Sequence, residues 1–374
     1  MNATNQWRAM GPNPLMEYRT MNAEWNAFLE QTGATQLADR IAHFGQPEAE
    51  LATALTGDVC CDLSHLGLIA ARGPDAETFL QGQLTCDVRQ ITPDRSLPGA
   101  HCTPKGRVFA SFRLFARENA YYLELPRELL EPALSRLRKY VLRTKVTLED
   151  ASDALLRMGV AGPGVAMRIG AVLGVTPETT NHVATAEMIS PHRITVIRLP
   201  GPTPRFELHG VARELSAVWN SLAPNVVPVG AEPWRLLDIL AGTPIVYPET
   251  VEAFVPQMLN LQLLDGIGFQ KGCYVGQEIV ARTHYLGKLK RRMYLAHVNS
   301  PAPPRPGDPL FSPQADPSQS AGQLVDAARY PDGGYAVLAV APIEYAEHGA
   351  LQLGDASGPV LRLKPLPYEF EAVG

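Results

Sequence analysis

Residues 271–278 concentrate the side chains of this sequence that can do chemistry. They supply an amine, a thiol, a phenol, an amide and a carboxylate, on Lys271, Cys273, Tyr274, Gln277 and Glu278. Gly272 and Gly276 lie between them. A packed helix or strand gains little from such glycines, because each costs backbone entropy and leaves no side chain to pack. The segment is therefore predicted to be a loop that forms part of a functional site.

Cys273 is the predicted reactive group of this loop. A thiol reacts as its thiolate, and a neighbouring cation such as Lys271 favours that charged form. One residue separates the two, so in an extended loop both side chains leave the same side. This spacing predicts that Lys271 and Cys273 carry any catalytic chemistry. The alternative is that Cys273 is a small buried hydrophobic residue, as most free cysteines are.

A second polar cluster contains His101 and Cys102, followed by Lys105 and Arg107. If this segment faced the loop, His101, Cys102 and Cys273 could ligate a metal ion. The spacing does not indicate such a site, because the five cysteines form no Cys-x-x-Cys pair. We therefore predict no metal site and expect reduced thiols.

Length and composition indicate a chain of two or three domains. It has 374 residues, of which 45% are hydrophobic, and a net charge of −5. That charge, and basic runs without interleaved aromatic residues, argue against direct binding of nucleic acid. The start has no apolar signal segment, and no run of about 18 apolar residues occurs that would cross a membrane. We therefore expect a cytoplasmic protein that binds no membrane.

The chain is predicted to divide into four parts. They are a helical N-terminal extension (residues 1–50), a first α+β lobe (51–150), a second α+β lobe that carries the loop (151–285) and a C-terminal antiparallel β-barrel (286–374). In the extension, Trp25, Phe28 and Leu29, and then Leu37, Ile41 and Phe44, have helical spacing. They predict one or two short amphipathic helices.

A weak internal repeat predicts the two lobes. Each unit of the repeat has a strand, a Gly-Pro turn that opens a helix, two further strands and a final helix. In the first unit these patterns lie at residues 66–70, 73–80, 109–115, 121–125 and 129–142. In the second unit they lie at residues 156–161, 162–173, 193–198, 205–208 and 211–222. The second set follows the first after roughly 85 residues. Two such lobes leave a crevice between them, where small molecules commonly bind, and we expect the 271–278 loop to line it. After the lobes, residues 332–334 predict a hairpin turn and residues 335–340 a strand of the barrel.

The loop also resembles a family signature. Lys-Gly-Cys-Tyr-x-Gly-Gln-Glu at residues 271–278 resembles the hallmark of the YgfZ family of folate-binding proteins, which is related in fold to the aminomethyltransferase of the glycine cleavage system. Supporting segments are residues 79–88, 100–107, 254–257, 260–261, 266–269, 280–282 and 287–288. The resemblance covers the chain from about Leu55 to the C-terminus and leaves the first fifty or so residues outside it.

The resemblance implies that tetrahydrofolate or a derivative binds in the crevice. Glu278 could accept paired N–H donors of a pterin ring, or it could form an ion pair with Arg282 instead. Trp234 matches a family tryptophan implicated in folate contact and suits stacking on a flat ring, with core packing as the alternative. Asn260, Tyr274, Gln277 and Arg282 complete the predicted cofactor-binding set.

Two departures from the relatives bear on the reaction. The aminomethyltransferases carry a catalytic aspartate in a stretch that corresponds here to residues 105–110, which contain no carboxylate. A transferase needs a positioned acid or base, so this disfavours one-carbon transfer. Relatives also often hold a folate-contacting glutamate before an Ala-Gly pair, where this chain has Leu240. Glu278 or Asp238 could substitute for it.

The resulting hypothesis is a folate-binding accessory protein. The resemblance implies support of iron–sulfur cluster assembly or repair and, through iron–sulfur enzymes, an indirect role in tRNA modification. Its partners would be a folate and either iron–sulfur assembly proteins or their client enzymes. The alternatives are a tetrahydrofolate-dependent transferase of the aminomethyl type, which is the enzymatic interpretation, and a scaffold whose loop docks a protein partner.

Overall fold

The computed structural model describes residues 22–188, 193–285, 287, 289–315 and 320–370. The helices are α1 Ala23–Gln31, α2 Pro47–Thr56, α3 Ala76–Gln81, α4 Arg127–Arg138, α5 Val165–Leu173, α6 Ala212–Leu222, α7 Ala231–Leu240, α8 Gln277–Tyr285 and α9 Ile343–His348. The strands are β1 Thr35–Leu37, β2 Arg40–His43, β3 Val59–Asp62, β4 Leu66–Arg72, β5 Leu97–Cys102, β6 Val108–Arg117, β7 Ala120–Pro126, β8 Thr147–Asp150, β9 Leu156–Ala161, β10 Val183–Glu187, β11 Arg193–Leu199, β12 Arg205–Gly210, β13 Val227–Val229, β14 Arg291–Val298, β15 Leu310–Phe311, β16 Gln323–Arg329, β17 Tyr335–Pro342, β18 Gln352–Leu353 and β19 Arg362–Lys364. None of the helices in this part of the chain combines the length and the apolar character needed to cross a membrane.

Two sheets with the same internal order form the centre of the fold. The first has the order β5-β6-β7-β4-β8 and the second β10-β11-β12-β9-β3-β13. Along the chain, β4-α3-β5-β6-β7-α4 in the first corresponds to β9-α5-β10-β11-β12-α6 in the second. The strands that correspond pair antiparallel in both sheets. The predicted internal repeat is therefore confirmed, and with it the mixed α+β class.

The N-terminal segment is built into the second lobe. β3 pairs with β9 and β13, so a strand from the first-lobe range completes the second sheet. α1 is helical as predicted, and its Trp25 packs edge-on against Trp219 of α6, with ring centroids 6.0 Å apart. The second predicted helix is wrong, because Ala38 adopts a positive φ of 55° and reverses the chain between β1 and β2.

The C-terminal part is an open sheet. Its strands have the order β16-β17-β14-β19, and β15 and β18 form a separate pair. The predicted hairpin turn is confirmed between β16 and β17, where Gly333 and Gly334 both have positive φ. The predicted barrel does not close among the described strands. Its edge strand β19 has three exposed residues, and among the described strands it pairs with β14 alone.

Helix α7 connects the three parts of the fold. Trp234 and Leu237 pack into the core between the two lobes, together with residues of β3 and β9. Leu236 and Ile239 pack into the core shared by the first lobe and the C-terminal sheet. Because 3.6 residues make one helical turn, these two pairs bury separate faces of the helix. The position of α7 is therefore fixed relative to both lobes.

Candidate functional site

Lys271 is the buried anchor of the 271–278 loop. Its Nζ donates hydrogen bonds to the carbonyl oxygens of Leu84, at 2.7 Å, and Cys86, at 2.6 Å. The ammonium also lies 5.0 Å from the ring centroid of Tyr274. Burial lowers the pKa of Lys271 to about 8. The amine therefore ties the loop to the chain that follows α3.

Cys273 is the accessible thiol of the protein. It is exposed, whereas Cys60, Cys61, Cys86 and Cys102 are buried. A side chain at the adjacent Gly272 would meet no atom within 4 Å, so the surroundings are open. Burial raises the pKa of the Cys86 and Cys102 thiols to about 12, which keeps them protonated. The alternative interpretation of Cys273 as a buried hydrophobic residue is wrong.

Two glycines bring the loop into contact with the second polar cluster. Gly276 has φ +84°, and a Cβ there would lie 2.5 Å from the carbonyl oxygen of Thr103. Gly106 has φ +67°, and its Cβ would lie 2.7 Å from Cβ of Ile279. Both positions require glycine, because the backbone is left-handed and the partner is too close. The two segments therefore do face each other.

The second cluster does not join Cys273 in a metal site. His101 is 1% exposed and lies between the rings of Phe109 and Tyr140, and burial lowers its pKa to about 3. Cys102 beside it is fully buried, whereas Cys273 is exposed. Within the described ranges, the one group of potential ligands close enough to hold a metal ion lies elsewhere.

Helix α8 carries the polar end of the loop. Arg282 donates to the Glu278 carboxylate at 2.9 Å, and both side chains are largely exposed. The ion-pair alternative for Glu278 therefore describes this structure. Gln277 begins α8 and is partly exposed, and Tyr274 is buried under the loop.

Trp234 and Asn260 lie apart from the loop. Trp234 is 1% exposed and packs on Gly159, where an added Cβ would lie 2.4 Å from the ring. Asn260 is fully buried, and its Nδ2 donates to the carbonyl oxygen of Met293 at 2.9 Å and to the Tyr368 hydroxyl at 3.3 Å. The core-packing alternative describes Trp234, and Asn260 joins the second lobe to the C-terminal sheet. Ligand binding by either side chain stays a prediction.

A cavity of about 390 Å³ lies between the two lobes. Its lining includes five charged residues from β6, β7, β12 and α7, namely Arg113, Glu124, Arg205, Glu207 and Asp238. No residue of the 271–278 loop lines it. The predicted crevice is present, but the prediction that the loop lines it is wrong. Cys86 lies between the loop and the cavity. Its carbonyl oxygen accepts a hydrogen bond from Lys271, and its sulfur lies against Gly99 of the cavity wall.

The cavity wall presents hydrogen-bonding groups that other residues leave unused. Arg205 forms an ion pair with Asp238, yet its Nε and Nη1 have no hydrogen-bond partner in the described structure. Burial raises the pKa of Asp238, against the opposing effect of Arg205. Asp238 is one of the two residues that could replace the carboxylate missing at position 240. The other, Glu278, is on the surface of α8.

Sequence reasoning missed most of the charged residues of this cavity. The signal that could have found them is the alternation of Arg205, Glu207 and His209 in β12, which places three polar side chains on one face of a buried strand. Glu124 is the single charge of β7, and Arg113 is one of two arginines in the largely apolar β6. Buried charges of this kind are rare unless they are paired or functional.

Comparison with known proteins gives consistent matches. The GCVT N-terminal domain matches residues 18–264. The match therefore includes part of the N-terminal segment that the motifs left outside the resemblance. The tRNA-modifying protein YgfZ of Sodalis glossinidius is 33% identical over 306 residues, which cover 82% of this chain and 92% of the relative. Its namesake in Photorhabdus laumondii is 33% identical over 312 residues, with coverage of 82% and 92%.

A solved structure shows the same fold. The glycine cleavage system aminomethyltransferase T from Bartonella henselae superposes with a TM-score of 0.69, over 92% of this chain and 96% of that chain. At 16% identity, this likeness concerns the fold alone. Taken with the domain match and the relatives, it places the chain in the YgfZ family of GCVT-domain proteins, with an aminomethyltransferase-like fold.

Proposed function

We propose that this protein binds tetrahydrofolate or a derivative in the cavity between its lobes. The observation that carries the proposal is a cavity of about 390 Å³ whose wall offers carboxylate and guanidinium atoms that have no hydrogen-bond partner among the described residues. Small-molecule sites typically have volumes of about 300–1,000 Å³ and a few convergent polar groups. A pterin ring carries amino and ring N–H donors, which carboxylates accept well.

In this proposal Asp238 and Glu207 take the role that sequence reasoning considered for Glu278. Both line the cavity, whereas Glu278 is paired with Arg282 on the surface. Trp234 then acts by positioning Arg205, whose guanidinium lies 4.8 Å from the indole ring centroid.

One further residue of the predicted set, Asn260, contributes through the same cavity wall. Asn260 positions Tyr368, because it donates to the hydroxyl of that residue, and Tyr368 lines the cavity. Neither Asn260 nor Trp234 needs direct contact with the ligand for this role.

The second half of the proposal is an accessory role in iron–sulfur cluster assembly or repair, and through it in tRNA modification. The relatives named tRNA-modifying proteins support the link to tRNA. The exposed Cys273 supports a reaction with a partner, because its thiol is open to a second protein. Lys271 supports the loop, with Tyr274, Gln277 and Arg282 around it.

A folate-dependent one-carbon transferase is the second candidate function. The observation that favours it is the presence of Asp238 and Glu207 at the cavity wall, since a positioned carboxyl group can supply the acid or base that residues 105–110 lack. The assay is formaldehyde release from a methylated amine in the presence of tetrahydrofolate. Turnover that Asp238→Asn abolishes would favour the transferase over the accessory protein.

The binding proposal is tested by calorimetric titration with tetrahydrofolate. Loss of a charged hydrogen bond costs about 1.5–3 kcal/mol, so Asp238→Asn is expected to weaken binding by roughly 10- to 100-fold. Glu278→Gln is the matched control, because this carboxylate lies outside the cavity, and it should leave the affinity unchanged. Thermal unfolding of both variants checks that they fold. Equal affinity of a folded Asp238→Asn protein would contradict the cavity as the binding site.

A further inference from the structure

Glu124 and Glu207 bring two carboxyl groups together from opposite lobes. Glu124 is on β7 and Glu207 on β12, and both line the cavity. One oxygen of each and one ring nitrogen of His209 all lie within 4.8 Å of one another. The three side chains are 6%, 4% and 0% exposed, respectively.

These three side chains have polar atoms without partners. Oε2 of Glu124, Oε2 of Glu207 and both ring nitrogens of His209 form no hydrogen bond within the described part of the chain. Buried polar atoms are normally hydrogen-bonded, so these atoms at a cavity wall are available to bind a ligand.

The arginines near Glu124 and Glu207 lie too far from the two carboxylates to form hydrogen bonds with them. Nε of Arg157 on β9 lies 3.9 Å from Glu124, and Nε of Arg113 on β6 lies 3.9 Å from Glu207. Both distances are longer than a hydrogen bond. The same guanidinium groups donate elsewhere, Arg157 to the Leu66 and Leu155 carbonyl oxygens and Arg113 to Asn181.

The remaining charges near the pair are already engaged. Asp238 on α7 is held by Arg205 in an ion pair. His209 lies 3.8 Å from the Glu207 carboxylate and its ring packs on Phe115, with centroids 4.6 Å apart. No described cation is therefore placed to neutralise both carboxylates of the pair at close range.

We propose that Glu124 and Glu207 hold one proton between them and together bind a lactam, a cyclic amide whose carbonyl oxygen adjoins an N–H group. Two buried carboxylates at this separation repel strongly, so one of them keeps its proton. The O–H of Glu124 donates to the ligand carbonyl oxygen, and the Glu207 carboxylate accepts from the ligand N–H. The pterin ring of a folate is such a lactam, so the ligand part of this inference rests on the proposed function.

The surroundings assign the proton to Glu124. Burial and the charge of Glu207 raise the pKa of Glu124 well above its usual range. Burial acts in the same direction on Glu207, but His209 and Arg113 outweigh it and lower the pKa of that carboxyl. Glu207 is therefore the acceptor and Glu124 the donor.

Unfolding of the ligand-free protein tests the shared proton. Glu124→Gln keeps a neutral donor and has no proton to lose on unfolding, so its unfolding temperature at neutral pH should be at least that of the wild type. Glu207→Gln removes the charge that faces Arg113, so its unfolding temperature should fall by several degrees. The exposed Glu149→Gln on β8 is the control: it loses only an exposed ion pair with Arg72, worth at most about 1 kcal/mol, so its unfolding temperature should change little. Equal destabilisation by Glu124→Gln and Glu207→Gln would overturn the proposal, because it would mean that both carboxylates are ionised.

The pH dependence gives a second readout. The folded-state pKa of Glu124 lies above that of the unfolded chain. The stability that its proton contributes is therefore complete in acid and is lost as the pH rises through the folded-state value. Glu124→Gln should lack this decline and the control should keep it. An identical decline in the wild type and in Glu124→Gln would overturn the assignment of the proton.

Metal ions and tetrahydrofolate separate this proposal from its rivals. A divalent cation would need both carboxylates ionised. A rise in unfolding temperature with Zn²⁺ or Mn²⁺ that Glu124→Gln abolishes would overturn the proposal, and no rise supports it. Tetrahydrofolate should bind Glu124→Gln with nearly wild-type affinity and Glu124→Met at least about tenfold more weakly. Equal affinity of both variants would overturn the lactam assignment. If tetrahydrofolate binds none of the proteins while the stability difference holds, the folate proposal and the lactam assignment fail and the one-proton pair stands.

Discussion

Gly276→Ala is expected to destabilise the protein, because the 271–278 loop packs against residues 103–106 with no room for a side chain. The backbone at Gly276 has φ +84°, which residues with a Cβ rarely adopt. A Cβ would lie 2.5 Å from the carbonyl oxygen of Thr103 and 3.0 Å from Cα of Gly106. Both neighbours are backbone atoms, so relief requires movement of a whole segment.

The magnitude follows from these two effects. A left-handed conformation costs about 1–2 kcal/mol for a residue with a Cβ, and overpacking costs typically about 1–3 kcal/mol. We expect the free energy of unfolding of Gly276→Ala to fall by about 2–4 kcal/mol, since movement of the loop relieves part of the overlap. Denaturant unfolding measures this loss. Thiol labelling gives an independent readout, because the Cβ of the buried Cys102 would lie 3.1 Å from the new methyl group. Native wild type should label at Cys273, and the variant also at Cys102.

Gly272→Ala is the matched control in the same loop. Its added Cβ would meet no atom within 4 Å, and its φ lies outside the left-handed region. Its free energy of unfolding should stay within about 1 kcal/mol of the wild type, because only the entropy of the unfolded chain changes. Equal stability of the Gly276→Ala and Gly272→Ala proteins, with Cys102 protected in both, would refute the packing argument.

Three further predictions concern single side chains. Cys273→Ser should leave the tetrahydrofolate affinity unchanged in calorimetry, because the residue lies outside the cavity. The variant should also fail to restore tRNA modification in cells that lack the wild-type protein. Restored modification would favour the scaffold alternative. Lys271→Met should change the pH dependence of unfolding. Burial lowers the pKa of Lys271 to about 8, below its value in the unfolded chain, so the stability of the wild type should rise as the pH increases above about 8. The variant should lack that rise, as pH-dependent denaturant unfolding would show. Trp234→Phe should lower the free energy of unfolding by about 1–3 kcal/mol through the space left beside Gly159, and should weaken tetrahydrofolate binding only through displacement of Arg205; an unchanged unfolding midpoint would contradict the packing of the indole ring.

Local patterns predicted most of the elements, and long-range pairing explains where they failed. The strands and helices of the repeat follow from alternation, helical spacing and Gly-Pro turns, which act within a few residues. The same reasoning failed at the hairpin of β1 and β2. Leu37, Ile41 and Phe44 have the spacing of a helix, but the chain reverses at Ala38. β3 could not be placed in the second sheet from local pattern, since its partner β9 follows almost a hundred residues later.

Local patterns likewise predicted one part of the candidate site and missed the part that depends on long-range contacts. The glycines at 272 and 276 predicted a loop, and Gly276 brings that loop into close backbone contact with residues 103–106. The charged cavity was not predicted, because Glu124 and Glu207 come from different lobes and meet only when the two sheets face each other. The sequence shows Glu124 as the one charge of β7 and Glu207 among alternating polar residues of β12, and it does not show that the two will face each other.

The separation of Lys271 from Cys273 has a local physical cause. Side chains two residues apart share a side only where the backbone is extended, and residues 272–274 form neither strand nor helix. The buried carbonyl oxygens of Leu84 and Cys86 need donors, and the lysine that follows the turn after Phe269 supplies them. Once Lys271 is held there, the chain turns back to solvent at residue 272, and Cys273 is exposed. The lysine therefore fixes the position of the thiol through the backbone.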